Sequence, residues 1–232
     1  MTNRDKSMNL TYPYFWVNFK IYSGTSGPGG VEIAQTIERV GEETGAQFVV
    51  SPQIPDIRLV SERTDLPILA QRADASEPGR GMGNILLETL SRAGAEAVVI
   101  NHAEDRDSLA DLATKIDRCV DIGLDSMVCV DSIEMGRSVA QLDPDTLVFE
   151  KPDDIATEQA IAQTHPERVE QFVEMVETTN PRTKVFVGGG ISTAEDVRLA
   201  FEQGADATGS ASSVVGADDR HRILTEIANA MP

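Results

Sequence analysis

Eight short apolar runs, each followed by a stretch of helical periodicity, recur along this chain, and that alternation leaves few folds open. The runs are 14–20 (YFWVNFK), 47–52 (QFVVSP), 66–72 (LPILAQR), 97–102 (AVVINH), 126–132 (SMVCVDS), 146–151 (TLVFEK), 184–190 (KVFVGGG) and 206–211 (DATGSA). Near-continuous apolar character, as in Val98-Val99-Ile100, suits a strand buried on both faces. The last run has the poorest strand character, because of Thr208, Gly209 and Ser210. Between the runs the period lengthens. Over 106–122, Leu109, Leu112, Ala113, Ile116 and Val120 share one face, with Asp, Lys and Arg on the other; Val169, Phe172, Val173 and Val176 do the same over 167–178. Ser192-Thr193-Ala194-Glu195 reads as a capping box, with Ser192 as N-cap and Glu195 three residues on. Gly45, Gly94, Gly123 and Gly204 stand just before strands, where a helix ends on a left-handed residue.

Eight strand–helix units predict an α/β chain folded as a (β/α)8 barrel, for which 232 residues is short but sufficient. A doubly wound sheet is the rival. It wants a G-x-G-x-x-G turn after its first strand and an acid at the end of the second. The stretch Gly24 to Gly30 (GTSGPGG) lacks that spacing, and the acid is missing. No linker or composition break divides the chain, so one domain over 1–232 is expected, with 1–13 as a loosely ordered N-terminal extension.

Charge narrows the partners. Asp and Glu number 38 against 20 Lys and Arg, a net charge of -18, which repels a phosphate backbone and makes nucleic acid a poor partner. The acids are spread through every segment, and only five of the bases are Lys (Lys6, Lys20, Lys115, Lys151 and Lys184). An acidic protein with little Lys suits concentrated salt, where screening removes most self-repulsion, so a halophilic setting is expected. No run is apolar enough to span a membrane. The opening MTNRDKSMNL is polar and unlike a secretory signal, so a cytoplasmic location is expected. Cys119 and Cys129 form neither a disulfide framework nor a zinc spacing, and no metal site is expected.

In a barrel of this kind chemistry collects at the C-terminal strand ends. Those ends carry Asn18 and Lys20 after the first strand, His102 after the fourth with Glu104 just beyond, and Glu150 after the sixth. Gly188, Gly189 and Gly190 end the seventh, and Ala211, Ser212 and Ser213 the eighth. Taken singly, Lys20 reads equally as a solvated rim charge, His102 as a satisfied structural histidine, and the glycines as an ordinary turn. Together they form a kit. A Glu in a water-poor pocket can take a proton from carbon beside a carbonyl. A neutral His can bond and shuttle protons between the two oxygens of the enediolate, and a fixed Lys supplies positive charge. Small-residue turns offer backbone N–H groups to a phosphate.

These residues resemble the triosephosphate isomerases, in the compact form found in archaea. The resemblance is carried by VNFKIY (17–22), ILAQRADASEPGRGMGNILLETLSRAGAEAVVINHAED (68–105), VFEKPDDIATE (148–158), VGGGISTAEDV (187–197) and SASSVV (210–215). It implies a TIM barrel and an aldose–ketose isomerase of glycolysis and gluconeogenesis. Such an enzyme interconverts dihydroxyacetone phosphate and glyceraldehyde 3-phosphate without cofactor or metal. It further implies Lys20 as electrostatic stabiliser with Asn18 beside it, His102 as electrophile, Glu150 as base and Glu104 as a supporting partner; this enzyme is the standing example of a Glu base with a neutral His. Phosphate would rest on Ala156, Gly188, Gly189, Gly190, Ala211 and Ser212. A homo-oligomer is implied, a tetramer as in archaeal members, with a dimer as the alternative.

Several positions depart from the archaeal pattern. The lid pattern E-P-P-E-L-I-G-T-G becomes Glu150 to Glu158 (EKPDDIATE), with Ala156 at the glycine whose N–H touches phosphate and Glu158 at the next glycine. Ser213 replaces a glycine, Ala103 a serine, and Gly81-Met82-Gly83 the H-T-G interface turn. Two alternatives therefore stay open: a paralogous isomerase acting on another small sugar or sugar phosphate, and a non-catalytic barrel kept as a binding or scaffold protein.

Overall fold

The computed structural model describes residues 8–150 and 160–232. Strands β1 (Tyr14–Asn18), β2 (Phe48–Ser51), β3 (Leu69–Ala70), β4 (Ala97–Ile100), β5 (Asp125–Val130), β6 (Thr146–Phe149), β7 (Lys184–Val187) and β8 (Ala207–Ser210) form one sheet. The order is β2-β1-β8-β7-β6-β5-β4-β3, every named pair parallel, and a bridge between Val50 and Ile68 links the two ends into a ring. Around it run α1 (Pro28–Thr44), α2 (Ile57–Ser61), α3 (Leu87–Ala93), α4 (Leu109–Ile122), α5 (Ile133–Ala140), α6 (Ile161–Thr164), α7 (Pro166–Thr179), α8 (Ala194–Glu202), α9 (Ser212–Val215) and α10 (Arg220–Ala228). This is the expected α/β barrel. None of the described helices is long and apolar enough to cross a membrane.

Strand alternation divides the core in two. Tyr14, Trp16, Val49, Leu69, Val99, Met127, Cys129, Val148 and Phe186 pack inside the ring. Phe15, Val17, Val50, Val98, Ile100, Val128, Leu147, Phe149 and Val187 pack outward against the helices. The described stretch between β6 and β7 shows how the outer layer is fastened: Phe149 stacks on Phe172 of α7 with ring centroids 4.4 Å apart.

Several expectations need correction. The strands stop one to three residues short of the apolar runs at their C-terminal ends, because the polar residues there leave the ladder to face the mouth. Residues 206–211 do hold a strand: Trp16 lies opposite Gly209, where a Cβ would come within 2.4 Å of the Trp16 carbonyl, so small residues are what this strand requires. Helix α4 starts at Leu109, with the Ser108 hydroxyl accepting from Asp111 N–H. Lys115, expected on its polar face, is buried. The capping box of α8 is displaced by one residue: Thr193 is the N-cap and Asp196 the reciprocal partner, in place of Ser192 and Glu195. Gly45, Gly94 and Gly123 are left-handed C-caps, whereas α8 ends on Gln203, one residue before left-handed Gly204.

Of the segment expected as a loose extension, residues 1–7 lie outside the described residues, and Asn9 and Leu10 are tied to the barrel. Their N–H groups donate to the Asp125 carboxylate at 2.7 and 3.0 Å, and Leu10 is buried in the inner core beneath Tyr14. Gly24 to Gly30 is a tight lead-in to α1: a Cβ on Gly29 would lie 2.3 Å from the Gly24 carbonyl.

Candidate active site

The alternation that builds the inner core also aims the polar groups. On β1, Tyr14 and Trp16 point inward, so Asn18 and then Lys20 continue toward the mouth. On β6 Val148 is inward, so Glu150 follows it. On β7 Phe186 is inward, which puts Gly188 beside Glu150, since Phe149 pairs with Val187. Strand β4 breaks the parity. Ala97 and Val99 are inward, yet His102 reaches the mouth because Asn101 takes a left-handed φ of 62°. A cavity of about 800 Å³ opens there, lined among others by Trp16, Asn18, Lys20, Gln71, His102 and Glu150. That volume suits a small-molecule ligand.

Three charged or polar tips meet in this cavity. Lys20 Nζ lies 3.2 Å from His102 Nε2, and His102 Nε2 lies 3.8 Å from Glu150 Oε2. Lys20 also donates to Glu104 Oε2 at 2.7 Å, and that contact holds the Glu104 carboxyl below its usual range. The backbone N–H of Glu104 donates to His102 Nδ1 at 3.1 Å. A backbone N–H can only donate, so Nδ1 is the acceptor and a neutral ring carries its proton on Nε2, facing the cavity. The Lys20 ammonium is then an electrostatic neighbour of Nε2, its hydrogen-bond acceptor being Glu104.

Burial sets the protonation states apart. The Glu150 side chain is 13% exposed, and desolvation raises its pKa to about 7 against the pull of Lys20. Desolvation, aided by the Lys20 charge, lowers His102 to about 4, so the ring is neutral wherever Glu150 is ionised. A poised carboxylate base and a neutral imidazole donor therefore share one cavity, as proton abstraction beside a carbonyl demands.

The structure brings Asn18, Lys20, His102, Glu104 and Glu150 together at this mouth. Gly189, Gly190, Ala211, Ser212 and Ser213 also line the cavity. Gly188 packs against the base: its N–H donates to the Phe149 carbonyl at 3.1 Å, and a Cβ there would sit 2.2 Å from Glu150 Oε1. It makes room for the carboxylate, and the cavity lining on this turn begins at Gly189. Ala156 and Glu158 lie outside the described residues.

Gln71 was not legible as a site residue, and the inward parity of Leu69 on β3 is the signal that finds it. Its amide donates to Asn18 Oδ1 at 3.2 Å and to the Lys20 carbonyl at 3.1 Å, while Lys20 N–H donates to Asn18 Oδ1 at 2.9 Å. These bonds hold Lys20 at a φ of 48°, which a non-glycine residue adopts at a cost. Trp16 forms part of the floor, with its Nε1–H fixed on Ser51 Oγ at 2.7 Å.

Comparison with known proteins agrees with this geometry. The triosephosphate isomerase family profile matches residues 13–231. The triosephosphate isomerase of Methanothermus fervidus is 36% identical over 219 residues, 94% of this chain and 99% of that protein. Those of Methanocaldococcus jannaschii and Sulfolobus acidocaldarius are 37% and 34% identical, over 91% and 94% of this chain and 96% and 95% of their own lengths. With strand order, site and near full-length similarity in agreement, the chain belongs to the triosephosphate isomerase family.

Proposed function

We propose that this chain interconverts dihydroxyacetone phosphate and glyceraldehyde 3-phosphate, with Glu150 as the base. The observation that carries the reading is Glu150 Oε2 set 3.8 Å from a neutral His102 Nε2–H, with the Lys20 ammonium 3.2 Å from that same nitrogen. A Glu150 oxygen takes the proton from the carbon beside the carbonyl. The C–H electron pair becomes the C=C bond of the enediolate, and the carbonyl oxygen gains negative charge next to Lys20 and the His102 N–H. His102 then passes a proton between the two oxygens, and Glu150 returns its proton to the neighbouring carbon.

Phosphate is assigned to the turns after β7 and β8. Within α9, Val214 and Val215 N–H donate to the Ala211 carbonyl, which leaves the preceding Ser212 and Ser213 N–H groups without an intrahelical acceptor. Gly189 and Gly190, both at positive φ, offer their backbone beside them. The family resemblance assigns Ala156 to the same group.

A coupled assay with glyceraldehyde 3-phosphate, run in low and high salt beside Glu150→Ala, tests the reading. Activity that the substitution removes is the expected result. A folded wild-type protein inactive at both salt levels overturns it and points to another sugar substrate or to a binding role. Given the charge of -18, activity and stability should both rise with salt.

The assembly is proposed to be a homo-oligomer. Met82, at the tip of the Gly81–Gly83 turn, is 97% exposed, and Ile21, next to Lys20, is 85% exposed. Both are large apolar side chains that a second copy would cover. Solution mass in high salt should give a tetramer or dimer, and a monomer would refute the assignment.

A further inference from the structure

Beneath the loop that carries His102 lies a buried ion pair. Lys115 Nζ sits 2.5 Å from Asp107 Oδ1, with the two side chains 3% and 11% exposed. Lys115 is on the inner face of α4 with Leu112, Ile116 and Cys119. A charge is rarely placed in such surroundings for stability alone, because a matched apolar pair does that as well. Something else must be served by a carboxylate at 107.

The other oxygen of Asp107 shows what it does. Asn101 N–H donates to Asp107 Oδ2 at 3.0 Å, and Asp107 N–H donates back to Asn101 Oδ1 at 3.0 Å. Asn101 Nδ2 adds a bond to the Cys129 carbonyl on β5 at 2.8 Å. Asn101 is the left-handed residue at which β4 loses its alternation and His102 turns into the cavity. The clamp thus closes the loop 101–107 on the residue that aims the imidazole. Lys115 fixes the remaining oxygen, so the carboxylate cannot swing away from Asn101.

We propose that Asp107, held from α4 by Lys115, is a positioning residue: it stabilises the reversed backbone at Asn101 and so keeps His102 Nε2 directed at Glu150. The consequence for turnover rests on the isomerase reading above; the consequence for the ring does not. An apolar residue at 107 could fill the space, but it could not accept the Asn101 N–H.

Two double variants separate acceptor from charge without burying an unpaired ion. Asp107→Asn with Lys115→Met removes both charges and keeps an oxygen for Asn101. Asp107→Leu with Lys115→Met removes the oxygen as well. The first should stay within about fivefold of wild-type kcat, and the second should fall about 30-fold with KM within about twofold, a partial loss of the proton-transfer contribution. Side-chain 15N spectra of the ligand-free protein give the second readout. They should show one His102 tautomer, protonated at Nε2, in wild type and the Asn/Met variant, and mixed tautomers in the Leu/Met variant. Equal kcat and equal His102 spectra in the two double variants would overturn the proposal. So would rapid amide exchange of Asn101 or Asp107 in the wild-type protein, a measurement that needs no variant to fold. An inactive wild type overturns the isomerase reading and leaves the spectra and the exchange to judge the clamp.

Discussion

Replacing Glu150 by glutamine will remove about 10³-fold of the turnover, the contribution expected of a positioned general base, and will leave the protein more stable above pH 7. Both effects have one origin. The Glu150 carboxyl is buried beside an inward apolar wall, and its pKa rises from an ordinary value of 4.5 to about 7. A carboxyl whose folded pKa is raised contributes stability that is fully present below pH 4.5 and is lost as pH rises through 7. Complete ionisation in the fold therefore costs up to about 3 kcal/mol, and the neutral amide escapes that cost. For a chain of this size the difference amounts to roughly 6–10 °C in Tm at pH 8. It should shrink toward zero as pH falls below 4.5. His102 titrates in the opposite sense: its pKa is lowered to about 4, so its contribution is present above 6.5 and lost as pH falls through 4. That term is common to both proteins and cancels in the comparison. The same Glu150 pKa sets the acid limb of kcat/KM, which should fall tenfold per pH unit below about pH 7. A wild-type acid limb centred near pH 4.5, or a Tm difference that does not vary with pH, would show that Glu150 is not the buried base.

How much of this was legible in the chain follows from where each signal resides. Apolar runs such as Val98-Val99-Ile100 carry the strand signal, because a parallel barrel buries both faces of its strands. The chemistry-bearing ends were legible for the same reason: Lys20, His102 and Glu150 interrupt apolar runs at the end where barrels place their sites. Boundaries were less so. Ser192-x-x-Glu195 and Thr193-x-x-Asp196 both satisfy a capping pattern, and the choice falls to Asp196 because its buried carboxylate also accepts from Ser192 N–H and both hydroxyls. Lys115 looked like a surface charge because its partner, Asp107, lies in the loop before α4, outside the helical period. Gln71 and the Asn101 reversal depend on three-dimensional neighbours, and strand alternation followed past the last ladder residue recovers only the first of them.

Gly188 offers the sharpest test of how tightly the base is held. Its ideal Cβ would approach Glu150 Oε1 at 2.2 Å, Cγ at 2.8 Å and Cδ at 2.9 Å. No left-handed backbone is required at this residue, so alanine fits the chain and only the carboxylate stands in its way. Gly188→Ala should therefore fold, displace Glu150 by about 1 Å, and lower kcat about 10²-fold, which is what misplacement on that scale costs. KM should change little, because the turns proposed to hold phosphate begin at Gly189. Glu150→Asp keeps its carboxyl carbon at the Cγ position, 2.8 Å from that Cβ, and so relieves only the closest contact, the one to Oε1. In that background Gly188→Ala should cost less than in wild type, so the two substitutions will be non-additive. If Gly188→Ala lowers kcat equally in both backgrounds, the glycine acts through the turn it opens. If it leaves kcat unchanged in the wild-type background, the base has room to move, and the close fit between Gly188 and Glu150 plays no part in catalysis.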